Sequence, residues 1–216
     1  MKSSRIKQIA FLLFLVSIAG IQAEAKKIQG QIITASDTLN VLLNIPFKWT
    51  TGEPYYEKIQ QKIVYFDASG KKIKMRPSEA REVRFTYGKE TIRMLSVYNS
   101  LMMGSVFVSD PRIFLRLRIE GTLKLFTYYD TKSSGGMYNP GAGMMMGGYS
   151  YTREYNILQK KNEALMKPTW ISFRKDMISY LSDCKELLPK LENRDLKSSD
   201  MAEIVRFYNS HCGSRQ

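Results

Sequence analysis

Residues 112–130 read RIFLRLRIEGTLKLFTYYD and contain the clearest secondary-structure signal in the chain. Apolar residues occupy every second position from Ile113 to Ile119, and Leu123, Leu125, Thr127 and Tyr129 follow at the same spacing. This is the period-two pattern of a β-strand. Glu120-Gly121 between the two runs is typical of a tight turn. The stretch therefore predicts an antiparallel β-hairpin.

Two arginines in this hairpin are the first candidate binding residues. Arg116 and Arg118 are two positions apart, so they share one face of the first predicted strand. We expect that face to be exposed to solvent. The alternative is that the two guanidinium groups bind an anion.

Similar alternation continues on both sides of the hairpin. Strands are predicted at residues 27–34, 39–47, 62–67, 72–76, 83–87, 90–95, 149–157 and 163–166. With the hairpin they make about ten short strands, most of them joined as hairpins and followed by helical sequence. This order predicts an α+β fold, mainly antiparallel β and sandwich- or barrel-like, with a C-terminal helical segment packed on it.

The last forty-odd residues have helical spacing instead. One apolar stripe contains Trp170, Phe173, Met177, Ile178 and Leu181, which predicts a first helix. Asp183 and Glu186 resemble a capping box before a second helix, which Pro189 should keep short or kinked. A third is predicted from Ser199 or Asp200 to Cys212. We expect one β domain over 26–168, with residues 169–216 packed on the same core.

The N-terminus has the pattern of a secretory signal peptide. Three cations precede an apolar run from Ile9 to Ile21, and Ala23-Glu24-Ala25 matches a signal peptidase site. The apolar run is too short to be a convincing membrane span. We expect cleavage after Ala25, with Ala23 as the alternative. The mature chain is then expected in the periplasm or cell envelope, without a transmembrane span.

Export bears directly on the two cysteines, Cys184 and Cys212, both on apolar helical faces. In an oxidising compartment such a pair favours a disulfide, and we predict that the two form one. The alternative is two buried free thiols.

Charge and composition restrict the class of partner. The formal net charge is +13, and it falls to +11 when residues 1–25, with three cations and one anion, are removed. The cations are spread along the chain, whereas a nucleic-acid-binding protein usually concentrates them on one element. We therefore expect no nucleic-acid partner. Anionic lipid or acidic polysaccharide is compatible with this charge.

Residues 133–148 read SSGGMYNPGAGMMMGG and interrupt the strand pattern. A glycine-rich run of this kind is expected to have no fixed conformation. Its methionines, Met137, Met144, Met145 and Met146, are the candidate metal ligands, because thioethers are soft donors suited to Cu(I). The preferred reading is a mobile loop without metal.

Signatures of catalysis are missing from the sequence. His211 is the single histidine, and it lies beside Cys212 on a helix, where adjacent side chains do not face each other. There is no phosphate-binding glycine loop and no G-x-S-x-G elbow. A glycosidase-type carboxylate pair has no fixed spacing, so an unrecognised hydrolase stays an alternative.

Two segments carry a resemblance to known sequences. KIVYFDASGKKIKMRP (62–77) with EVRFTYG (82–88), and SYLSDCKELLPKL (179–191) with DMAEIVRFYNSHC (200–212), resemble uncharacterised exported proteins of Bacteroidetes-type bacteria. The resemblance implies a secreted, envelope-associated protein and carries over no catalytic residue. We therefore predict a non-catalytic exported protein that binds an unidentified envelope partner without a cofactor. Soft-metal binding and a hydrolase are the alternatives.

Overall fold

The computed structural model describes residues 25–102, 110–133, 137–139, 144–146 and 150–213. The predicted signal peptide lies outside these residues, apart from Ala25. The strands are β1 (Ala25–Ile33), β2 (Thr38–Pro46), β3 (Ile63–Phe66), β4 (Lys72–Met75), β5 (Glu82–Tyr87), β6 (Glu90–Tyr98), β7 (Arg112–Ile119), β8 (Leu123–Ser133), β9 (Met137–Asn139), β10 (Met144–Met146) and β11 (Ser150–Lys160). The α-helices are α1 (Tyr56–Ile59), α2 (Phe173–Tyr180), α3 (Leu188–Glu192) and α4 (Met201–His211). Short 3-10 turns occupy Pro77–Glu79, Ser100–Met102 and Ser198–Asp200.

Nine of these strands form one antiparallel sheet. The order is β11-β8-β7-β6-β5-β1-β2-β3-β4, and β9 pairs with β10 in a separate two-stranded ribbon. The predicted fold class, α+β and mainly antiparallel β with C-terminal helices packed on it, is confirmed. Most neighbours in the sheet are also neighbours in sequence, as the hairpin pattern predicted. The two exceptions are β8 with β11 and β1 with β5, and the second pair joins the more distant segments.

The hairpin at residues 112–130 is present as β7 and β8. Its connection is three residues long rather than two, because the ladder shifts between Leu117 and Ile119. Gly121 in this connection has a φ of +155°, and a Cβ there would collide with the side chain of Asn209 in α4. That amide accepts from Leu123 N (2.8 Å) and donates to Leu123 O (2.9 Å). The turn therefore needs glycine in order to receive α4.

Two strand predictions near the end of the sheet need correction. The predicted strand at 163–166 is wrong: only an isolated bridge joins Met166 to Leu158. Pro168 has no N–H with which to continue that pairing. Within the glycine- and methionine-rich run, the backbone of β9 and β10 is paired, so the expected lack of fixed conformation is wrong for those two triplets. The two triplets pair with each other in a ribbon that is separate from the nine-stranded sheet.

A gap between β7 and β8 is filled by a residue from outside the sheet. The ladder between these strands covers only Arg116 to Ile119 on β7. Beyond it, the buried residue Gln60 at the end of α1 accepts from Phe114 N through its backbone oxygen (3.0 Å). Its side-chain amide donates to Tyr129 O (2.9 Å) and accepts from Tyr129 N (2.7 Å). Gln60 therefore takes the place of a strand residue, and α1 covers the core on this side.

The C-terminal helices cover the other end of the same β8 face. Leu123 and Leu125 of β8 and Leu158 of β11 pack against apolar residues of the helical segment, with Met177, Leu187, Ile204, Val205 and Tyr208 buried among them. Within the described part of the chain, no helix is both long enough and apolar enough to cross a membrane.

The helix boundaries differ from the predicted ones in two places. The first helix begins at Phe173, so Trp170 precedes it. The second begins at Leu188 rather than after Asp183, because Pro189 is favourable only in a first turn. Asp183 is therefore not a helix cap. Its carboxylate accepts from Lys160 Nζ (2.8 Å) and Tyr208 Oη (2.7 Å) and so fastens α4 and the end of β11 together.

The electrostatics of Asp183 agree with this role. Burial alone would raise the pKa of its carboxyl, but the hydrogen bonds from Lys160 and Tyr208 outweigh burial and hold the pKa below its usual range. The Tyr208 phenol has its pKa raised, first by burial and then by its hydrogen bond to the Asp183 carboxylate. Both shifts favour a charged carboxylate and a neutral phenol at neutral pH.

Cys184 and Cys212 lie within the core formed under the helices. Their sulfur atoms are 2.00 Å apart and form a disulfide, which fits the predicted pairing. Cys184 follows α2, and Cys212 is the C-cap of α4. The bond therefore closes the helical segment on itself.

Candidate interaction surface

Both tryptophans of the chain are exposed to solvent. Trp170 has 85% of its surface exposed, Ile171 has 79%, and Trp49, in the loop after β2, has 71%. Tryptophan is usually well buried, because it offers a large apolar surface. Adjacent exposed residues such as Trp170 and Ile171 therefore indicate an interaction surface more strongly than a single exposed side chain does.

A hydrogen-bonded turn presents Trp170 and Ile171 in front of α2. Ser172 Oγ donates to the Asp176 carboxylate (2.7 Å), and Thr169 N donates to the same group (3.3 Å). The hydrogen bond from Ser172 is the main reason that the pKa of Asp176 is lowered. The turn is therefore fixed on both sides of Trp170 and Ile171.

These two residues border an open groove between α2 and residues 194–198. The groove has a volume of about 920 Å³, and its apolar lining includes Phe173, Ile178 and Leu196. Arg174, Lys175, Arg194 and Lys197 line it as well, and no carboxylate is among the lining residues. We call this surface the basic groove. Its combination of apolar and cationic residues suits a partner that is anionic on the outside and apolar beneath.

The position of Arg194 depends on how α3 ends. Arg194 has a φ of +67°, in the left-handed region that non-glycine residues seldom adopt. It comes just after the C-cap of α3, Asn193, where a left-handed residue commonly ends a helix. Leu196 N then donates to Lys190 O (3.2 Å), and the chain turns to form one wall of the basic groove.

The two arginines predicted to share a solvent-exposed face lie in different surroundings. Arg118 is exposed, but Arg116 is only 8% exposed, so the expectation is wrong for Arg116. The Arg116 guanidinium donates to both Glu90 carboxylate oxygens (2.8 and 2.7 Å) and to Tyr129 Oη (3.1 Å). Glu90 thus occupies the position that an anionic ligand would take.

His211 and Cys212 have structural contacts. The His211 ring stacks on Phe207, with 4.1 Å between ring centroids, and its Nδ1 lies 3.0 Å from Phe207 O. Cys212 is in the disulfide and is no nucleophile. Within the described ranges, no group of three or more His, Cys, Asp and Glu residues is placed to hold a metal ion.

The candidate methionines are in the ribbon of β9 and β10. Met146 pairs with Met137, Met145 with Tyr138, and Met144 with Asn139.

Sequence reasoning missed the basic groove because it assigned Trp170 to a buried helical stripe. The spacing of Trp170 and Phe173 is helical, but two hydroxyl residues, Thr169 and Ser172, lie where a helix start is expected. Ser172 as the N-cap, which the structure has, excludes Trp170 from the helix, whereas Thr169 as the N-cap would have included it. Comparison with family models, curated proteins and solved structures finds no match for this chain.

Proposed function

We propose that the chain is an exported, non-catalytic cell-envelope protein that binds the anionic surface of a membrane through the basic groove. The observation that carries this proposal is the pair of exposed apolar residues, Trp170 and Ile171, beside four cations. Tryptophan favours the boundary between lipid headgroups and acyl chains, because it has an apolar ring and a polar N–H. Each Lys or Arg near an anionic leaflet adds about 1 kcal/mol of attraction.

Export is supported by the N-terminal pattern and by the disulfide, which is typical of oxidising compartments. The predicted cleavage site after Ala25 also falls at the first residue of β1, so cleavage there leaves the strand from Lys26 onward intact. The resemblance of residues 179–191 and 200–212 to exported Bacteroidetes-type proteins supports the same assignment.

The first expected result is that the exported protein begins at Lys26. Intact-mass spectrometry of protein recovered from the envelope fraction measures this directly. A mass that still contains residues 1–21 would contradict export through a cleaved signal peptide.

The second expected result concerns Trp170 as its own fluorescent probe. Trp49→Phe leaves Trp170 as the single tryptophan, and its emission is expected to shift to the blue with phosphatidylglycerol vesicles but not with phosphatidylcholine vesicles. Trp170→Phe leaves Trp49, which is expected to show no shift. A shift of Trp49 alone would contradict the assignment of the surface to the basic groove.

Vesicle co-sedimentation tests whether binding depends on the cations of the basic groove or on the net charge of the protein. Arg174→Gln with Lys197→Gln is expected to weaken binding about tenfold or more, because two attractions of about 1 kcal/mol are lost. Lys71→Gln with Lys89→Gln removes the same charge from exposed positions outside the basic groove and is the matched control. Equal losses in the two double variants would show that net charge, and not this surface, causes binding.

A further inference from the structure

The four cations of the basic groove are divided between its two walls. Arg174 and Lys175 belong to α2, and Arg194 and Lys197 belong to the segment that follows α3. All four residues are exposed. Each wall therefore offers two positive charges to a ligand that enters the space between them.

The two arginines of the basic groove differ from those in the sheet. Arg84, Arg93 and Arg116 each form an ion pair with a glutamate. Among the residues that the structure describes, Arg174 and Arg194 have no ion pair and no side-chain hydrogen bond. A guanidinium has five N–H donors in a planar fork that matches the oxygens of a phosphate group. These two side chains are therefore free to bind phosphate.

We propose that the basic groove binds one lipid whose headgroup carries two phosphate groups, an inference that rests on the membrane-binding function proposed above. Each wall holds one phosphate. The volume of about 920 Å³ lies within the range of small-molecule sites, roughly 300–1,000 Å³, so one such headgroup fits. Basic pockets between helices hold lipid headgroups with more than one phosphate for the same electrostatic reason.

Two phosphates in one headgroup bind better than two separate lipids for an entropic reason. Once one wall has bound the first phosphate, the second phosphate is already held close to the facing wall, so its binding is intramolecular. A headgroup with a single phosphate engages one wall and leaves the other to a separate molecule. The division of the cations between two walls therefore favours the doubly charged headgroup.

The apolar residues of the basic groove indicate a lipid rather than a soluble phosphate compound. Phe173, Ile178 and Leu196 line the groove together with the cations, and Trp170 and Ile171 are exposed at its border. Acyl chains cover such apolar surface and remove it from water, whereas a soluble diphosphate has no apolar part with which to do so.

Co-sedimentation with two kinds of vesicle tests this inference. Cardiolipin, which has two phosphates, is used at half the mole fraction of phosphatidylglycerol in a phosphatidylcholine background, so the anionic charge and the number of anionic-lipid acyl chains are equal. Wild type is expected to bind the cardiolipin vesicles about tenfold more tightly or more. Equal affinities overturn the inference and leave the proposed function standing, whereas a lack of binding to both vesicles overturns both.

Inorganic pyrophosphate distinguishes the lipid from a soluble ligand. In excess it is expected to leave the protein on the cardiolipin vesicles, because it cannot cover the apolar lining. Complete displacement by pyrophosphate would show that a soluble diphosphate is sufficient and would overturn the assignment to a lipid.

Arg174→Lys with Arg194→Lys tests the assignment to the basic groove. The charge is kept but both planar forks are lost, so the preference for cardiolipin is expected to fall to about threefold or less. Arg118→Lys with Arg206→Lys makes the same change at exposed positions outside the groove and is expected to keep the wild-type preference. An undiminished preference in the first double variant, or an equal loss in the two, overturns the proposal.

Discussion

Gln60→Ala is expected to lower the free energy of unfolding by about 3–5 kcal/mol. The substitution removes the amide that pairs with both Tyr129 N and Tyr129 O. It leaves these two buried backbone groups without partners, each at a cost of about 1–3 kcal/mol. Urea unfolding measures the change, and Gln29→Ala, at an exposed strand position, is the control, with an expected change within about 0.5 kcal/mol.

Gln60→Glu gives this prediction a second readout. The carboxylate still accepts from Tyr129 N but has no hydrogen to donate to Tyr129 O, so the variant should also be destabilised at neutral pH. Burial raises the pKa of a carboxyl group, and its protonated form again has a donor. Stability relative to wild type should therefore recover as the pH falls. If Gln60→Ala were as stable as Gln29→Ala, the gap between β7 and β8 would not depend on Gln60.

Replacing both cysteines, Cys184→Ala with Cys212→Ala, is expected to lower the free energy of unfolding by about 3–4 kcal/mol. The bond joins residues that are 28 positions apart in the sequence. Without it the unfolded chain gains conformational entropy, which for a loop of this size lowers the free energy of unfolding by about 3–4 kcal/mol. Both residues are buried under the helices, at 0% and 9% exposure, so some packing is lost as well.

A reductant provides the internal control for the disulfide. Reduced wild type should approach the stability of the double variant, and the double variant itself should not respond to reductant. Vesicle binding through the basic groove should persist in the double variant while it stays folded. Thiol counting on unreduced, denatured protein should find no free thiols, and a count of two in the natively exported protein would refute the disulfide.

The strands could be predicted because their signal is local. From Ile113 to Ile119 and from Leu123 to Tyr129, successive residues lie on opposite faces of the sheet. Every second residue therefore shares one environment, and this produces a period of two in the sequence. The disulfide pairing could also be predicted from the sequence, since the chain has two cysteines and both lie on apolar stripes. Export, which motivated that prediction, stays a proposal.

Two of the missed features, the roles of Gln60 and Arg116, depend on partners far away in sequence. Gln60 is polar and follows a four-residue helix, and nothing nearby indicates that its amide pairs with Tyr129. The alternation in the sequence predicts that Arg116 is exposed. Its guanidinium is buried instead, because it donates hydrogen bonds to Glu90 and to the Tyr129 hydroxyl. Pairings over such separations leave no periodic trace, so a single sequence does not reveal them.

The β1–β5 pairing divides the sheet into two parts, each built from nearby segments of the chain. Strands β1 to β4 form one part, and β5 to β8 with β11 form the other. The pairing of Ile32 with Val83 joins them across the longest connection in the sheet, and Gln60 fastens the first part to β7 and β8 of the second. Because loop closure costs more entropy as the connecting chain lengthens, these two joints cost more entropy to form than the hairpins within each part. The order of assembly therefore follows from topology: local hairpins first, then the union of the two halves.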